Sequence, residues 1–169
     1  MRALSILCVV AVALPAAACG KKEEKNVTVT TPEGNVTMSQ SGGKFTVNAD
    51  NGKSSVTIAS NGAASAASVP AYVSVYPGAK VVSTVVGAGN GNGGGMVVYT
   101  TSAAPEDVIA FHKKLAEGAG LAQTATMNMQ GTLSYTASDE KTKRTMQVTV
   151  TKNGDGATQA EAVWSSGGN

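Results

Sequence analysis

An α+β fold, an antiparallel sheet with one helix packed on one face, is what this chain of 169 residues predicts. Three observations lead there. Short segments alternate apolar and polar residues with the two-residue period of half-buried strands. A single stretch, 105–117, carries the helical spacing behind a proline that suits a first helical turn. Glycines and asparagines punctuate the segments where turns belong. The order reads β-β-α-β-β-β over residues 69–166, preceded by a small all-β repeat of four short strands over 26–60.

The chain starts with Arg2, an apolar run from Ala3 to Leu14, and the small residues Ala16, Ala17 and Ala18 before Cys19. This is the layout of a secretory signal over residues 1–18. The run is shorter than the roughly 20 apolar residues a spanning helix needs, so it reads as an address rather than a permanent span. With its terminal cysteine the segment resembles a bacterial lipoprotein signal. That resemblance implies cleavage before Cys19 and a lipidated thiol; several acyl chains make a durable anchor where one holds only marginally. Gly20 stands where an inner-membrane protein of this kind has Asp, so the resemblance implies the outer membrane, facing the periplasm. Residues 19–25 then form a lipidated tether, solvated by the mixed charges of Lys21, Lys22, Glu23, Glu24 and Lys25.

About 150 residues follow the signal, enough for one modest domain with an appendage. The net charge is +2 and no basic cluster stands out, so there is no nucleic-acid footprint. Cys8 leaves with the signal and Cys19 carries lipid, which leaves no pair for a disulfide. In the repeat, Val27-Thr28-Val29, Val36-Thr37-Met38, Phe45-Thr46-Val47 and Val56-Thr57-Ile58 recur about every nine residues. Alternation puts the apolar members on one face and the threonines on the other. So small a sheet cannot bury that face alone. Its expected cover is the rest of the chain, a second copy or another envelope protein. Residues 61–68, small and without an apolar period, read as a linker.

The module over 69–166 opens with a strand from Lys80 to Val86, a glycine-rich loop from Gly87 to Gly95, and a strand from Met96 to Thr101. Pro105, Glu106 and Asp107 suit a helix start. Ala104 is a poor cap, so Ser102 is expected to serve in its place or the first turn to fray. Val108, Phe111 and Leu115 share a helix face, and Gly118 or Gly120 ends it. Beyond the helix, Met127, Met129, Leu133 and Tyr135 are expected on one face of one strand, with Gly131 as a bulge. Met146, Val148 and Val150 repeat the pattern, and Ala160, Ala162 and Trp164 face inward from the last strand. The sequences Tyr76-Pro77-Gly78-Ala79, Pro105 to Phe111 and Gly118 to Leu121 resemble a module of exported proteins and lipoproteins of proteobacteria. The motifs are structural, and the resemblance implies no activity.

Catalytic constellations fail on context. Gly89 to Gly94 spells G-x-G-x-x-G, but a strand rather than a helix follows it, so no amide-lined helix end meets a pyrophosphate. Ser41 to Lys44 and Ser138 to Lys141 match Ser-x-x-Lys within expected hairpin turns, not at a helix start. His112, the only histidine, lies beside Lys113 and Lys114 and reads as a surface or boundary residue. One sulfur set stays open: Met127, Met129 and Met146 on one face would offer three thioethers, the soft donors that select Cu(I), although core packing explains the same positions. The expectation is a non-catalytic envelope lipoprotein without a cofactor, anchored at Cys19, with an envelope protein or a second copy on its β-repeat. The alternative is a periplasmic binding protein that takes a small ligand or Cu(I) on the helix-sheet module.

Overall fold

The computed structural model describes residues 25–31, 34–49, 53–60 and 66–167. The leader, Cys19, the tether before Lys25 and the linker residues 61–65 lie outside the described residues.

Ten strands hydrogen-bond into one sheet: β1 (Lys25–Thr31), β2 (Gly34–Ser41), β3 (Lys44–Ala49), β4 (Ser54–Ser60), β5 (Lys80–Gly89), β6 (Asn92–Thr101), β7 (Ala122–Met129), β8 (Thr132–Asp139), β9 (Arg144–Lys152) and β10 (Thr158–Ser166). One helix, α1 (Pro105–Gly118), packs across β7, β8 and β9. The spatial order is β1-β2-β3-β4-β5-β6-β10-β9-β8-β7, with every pair antiparallel. After β6 the chain crosses in α1 to the far edge, and the meander β7 to β10 returns to pair with β6. The predicted α+β class holds.

Two details of the strands depart from the sequence reading, each for a local reason, and a third settles a point the sequence left open. The expected single strand through Gly131 is two strands, because Gln130 and Gly131 both have positive φ (46° and 84°) and close a two-residue hairpin. That pairing of left-handed residues matches the twist of the flanking strands, so the turn is stable rather than a bulge. Asn90 and Gly91 do the same (51° and 78°), and the glycine-rich run from Gly87 to Gly95 is strand on both sides of that turn rather than a loop. Finally, the four-strand repeat does not stack on the module. It extends the same sheet through the β4–β5 ladder, Ser54↔Gly89 to Ser60↔Ser83.

The interior lies between α1 and the sheet. Tyr99, Tyr135, Met146, Val148, Ala162 and Trp164 line the sheet side and are buried. Val73, from a 3-10 turn at Ala71–Val73 ahead of β5, enters the same core. From the helix come Val108, His112 and Ala116, spaced by four residues. The expected face of Val108, Phe111 and Leu115 is thus rotated: Phe111 and Leu115 are half-buried flanks, and Phe111 meets the Tyr76 ring edge-on at 5.3 Å.

No side chain caps α1. Ala104 occupies the cap position and makes no side-chain hydrogen bond. The approach is held instead by the Thr158 hydroxyl, which donates to the Ala103 carbonyl at 2.6 Å, and by the Ala103 N–H, which donates to Thr101 Oγ1 at 3.3 Å. The helix end is closed by its backbone. Leu121 N–H donates to Ala116 O and Gly120 N–H to Glu117 O, with Gly120 at φ 77°. This is the paired-bond glycine termination the sequence calls for. Arg144 locks the end in place: its guanidinium donates to the Ala119 carbonyl at 2.9 Å, pairs with Asp139 at 3.3 Å, and lies 5.7 Å from the Tyr72 ring centre.

Candidate ligand site between helix and sheet

α1 carries the sole histidine into the core rather than to the surface, correcting the surface or boundary reading. His112 sits one turn from both Val108 and Ala116, so the helical period that buries them buries it as well. The adjacent lysines do not argue otherwise, because neighbours on a helix point 100° apart. His112 Nε2 lies 2.7 Å from the Tyr99 hydroxyl. Its other ring nitrogen, Nδ1, has no partner, and neither does the buried hydroxyl of Tyr135. Whichever tautomer is present, one polar ring atom faces an apolar interior, a position that ordinarily costs about 1–3 kcal/mol.

Burial sets the electrostatics of this layer. It pulls the His112 pKa down from 6.5 to about 4, so the imidazole is neutral at pH 7. The Tyr99 and Tyr135 phenols are pushed upward by the same cause and stay protonated. The layer therefore presents neutral groups that donate and accept hydrogen bonds within an apolar shell.

Two grooves flank α1. One, of about 290 Å³, is lined by Tyr76, Pro77, Asp107, Ala110, Phe111 and Lys114. The other, of about 190 Å³, lies toward the β7 edge and is lined by Ile109, Thr126, Met127, Asn128, Leu133 and Ser134. Every residue of β7 is exposed, which makes this edge the least encumbered side of the layer.

The three methionines do not form a set. Met146 pairs with Ala137 and Trp164 on the helix side and is fully buried. Met127 pairs with Ser134, and Met129 with Thr132, on the opposite side, 50% and 60% exposed. The intervening hairpin is what separates them. Among the described residues no group of three or more His, Cys, Asp or Glu is placed to hold a metal ion. Both Ser-x-x-Lys matches fall at hairpins, between β2 and β3 and between β8 and β9. Trp164 packs in the core as expected. Cys19 lies outside the described residues.

Reading the sequence missed Tyr99 and Tyr135 as two separate hydroxyls facing the helix. The signal was present in part: both are amphipathic aromatics at inward positions of their strands, where a hydroxyl needs a partner.

A family model described as START domain-like matches residues 81–162, just under half of the chain. The matched stretch runs from the start of β5 into β10 and includes α1 and the polar layer beneath it. No curated protein and no solved structure matches the chain. From β5 to β10 the molecule is similar to START domain-like proteins in sequence pattern, with a helix laid over an antiparallel sheet.

Proposed function

We propose that the module from β5 to β10 is a binding module for a small, largely apolar molecule bearing one polar group, held without chemical turnover between α1 and the sheet. The observation that carries the reading is the pair of buried, unpartnered polar atoms, His112 Nδ1 and Tyr135 Oη, in the layer that the START domain-like match spans. A ligand hydroxyl, carboxyl or carbonyl that reaches either atom supplies its missing hydrogen bond while the hydrocarbon part replaces core contacts. Entry is assigned to the β7 edge, between Ile109 and Leu133. The test is native mass spectrometry of the full chain released from membranes, followed by titration with fatty acids and lysophospholipids read by Trp164 fluorescence. A copurified lipid, or saturable binding weakened by Tyr135→Phe, supports the reading; no bound species and no saturable response from either class defeats it.

The second part of the proposal concerns place. The leader and Cys19 support a protein anchored by lipid to the cell envelope, probed most directly by the mass of the mature N-terminal peptide. Acylation at Cys19, and release of the Cys19→Ser variant from the membrane fraction, are the expected results. An unacylated N-terminus removes the anchor.

A further inference from the structure

The apolar members of the N-terminal repeat all face away from α1. The ladders join them to residues of the main sheet: Phe45↔Ile58↔Val85↔Met96↔Val163 runs as one row across five strands. Beside it runs a second row, Val27↔Met38↔Val47↔Val56, which continues into Gly87 and Gly94. Val27 is 55% exposed, and Met38, Phe45, Val56, Ile58 and Val163 are likewise open to solvent. Among the described residues, no charged side chain interrupts these rows between Val36 and Ile58 or between Ser83 and Val98 on this face.

We propose that this face is the interface with a second copy of the chain, two sheets packed face to face. Three features choose a copy over other occupants. The first is relief. The Phe45 to Val163 row is a ridge, and where the neighbouring rows reach Gly87 and Gly89 the side chains vanish, leaving a groove of about 370 Å³ lined by Val47, Val56, these glycines and Asn92. A two-fold axis lying between the sheets along the Val47, Val56, Gly87 row sets the ridge of each copy over the groove of the other. The same patch then serves both sides, as a two-fold interface requires. The second is size. Strands about 4.8 Å apart and about 20 Å long give a face on the order of 600 Å² over β1 to β6, within the 600–1,000 Å² per partner of stable interfaces. The third is charge. Over β1 to β6 the ladders place Lys25 and Lys80 at the margins of this face and no charge in its middle, which is neither the cationic cluster that binds an anionic membrane surface nor a charge pattern that selects a different protein. The proposal is independent of ligand binding beneath α1.

The experiment is bismaleimide crosslinking of the full chain in intact membranes. Sheets packed this way lie about 10 Å apart, so Val56→Cys, on the axis, meets its own copy, whereas Thr57→Cys points to the opposite face and serves as the control. The parent chain, which already carries Cys19, sets the background. A band at twice the chain mass with Val56→Cys, weak with Thr57→Cys and lost when Ile58→Glu is added, is the expected result. Equal bands from both cysteines, no band, or a band at another mass overturns it. A bimane label on the Ile58→Cys variant separates out the membrane: quenching by nitroxide lipids places bilayer, not a copy, against this face and also overturns the proposal. Ile58 is exposed, so its substitution leaves folding intact, and the Thr57→Cys comparison holds regardless.

Discussion

The two halves of this sheet turn their apolar sides in opposite directions. From β6 through β9, the apolar side chains Val97, Tyr99, Tyr135, Val148 and Ala162 face α1, and the outward positions turn from Met96, Val98 and Val163 on β6 and β10 to Thr, Ser and Gln on β9 and β8. From β1 to β4 the pattern is inverted. Thr28, Thr37, Thr46 and Thr57 point to the helix side, paired at 3.3 Å across β1–β2 and β3–β4, and the valines face out. Crossing from one pattern to the other happens at β5 and β6, the glycine-rich strands. The lesson is that a strand ladder transmits register but not the side that is buried. The half whose apolar side is covered by its own helix holds the buried core, and the half whose apolar side stays bare leaves Val27, Phe45, Val56 and Ile58 open to solvent.

The seam is where the comparison breaks most easily. A Cβ at Gly95 would stand 2.5 Å from Trp164 Cζ2 and closer still to the Val85 carbonyl. Gly95→Val therefore evicts Trp164 or parts β5 from β6, costing about 3 kcal/mol or more by the usual scale of overpacking and core loss. Urea unfolding measures it, and a loss below about 1 kcal/mol shows that the seam does not hold the halves together.

Acid comes next and acts on the covered half alone. The His112 pKa is lowered on folding, from 6.5 to about 4, so between those values the unfolded chain binds more protons. Stability is complete above pH 6.5 and falls by about 3 kcal/mol as the pH drops toward 4. Asp139, held below its ordinary value by the Thr142 hydroxyl, releases its share only at lower pH still. His112→Phe should be less stable at pH 7, since Tyr99 loses its partner, yet flat across that window. A persisting slope in this variant assigns the acid response elsewhere.

Parallel truncations sharpen the contrast. Val148→Ala removes buried methyl groups from the covered half and should cost about 2 kcal/mol. Val56→Ala, 43% exposed, should stay within about 0.5 kcal/mol in dilute monomer and matter only at concentrations where copies associate. Comparable losses from both would mean the N-terminal half is already covered. The smallest effect belongs to Tyr135→Phe: deleting an unpartnered buried hydroxyl should leave stability unchanged or raise it by about 1 kcal/mol in unliganded protein, read from its melting temperature.

Strand identity and inward faces were legible wherever alternation met one buried side, as at Met146, Val148 and Val150 or Ala160, Ala162 and Trp164. So was the helix, with an ending at Gly118 or Gly120 of which the structure selects Gly120. Gln130-Gly131 misled because a residue with φ above zero is invisible in composition, and an unrecognised hairpin sent Met127 and Met129 to the wrong face. His112 misled because a polar residue at a core spacing can be placed only by knowing which helix face meets the sheet.

By itself, then, the chain determined its α+β class, its apolar and polar stripes, and the threonine-valine repeat that makes four strands, since period and turn residues act over neighbours in sequence. The tertiary structure alone decided that the repeat extends the sheet rather than covering it, that its valines lie opposite α1, and that Tyr99, His112 and Tyr135 share one dry layer. These outcomes depend on pairing between strands distant in sequence, where hydrogen bonds along an edge cost the same whichever face the neighbouring half has buried.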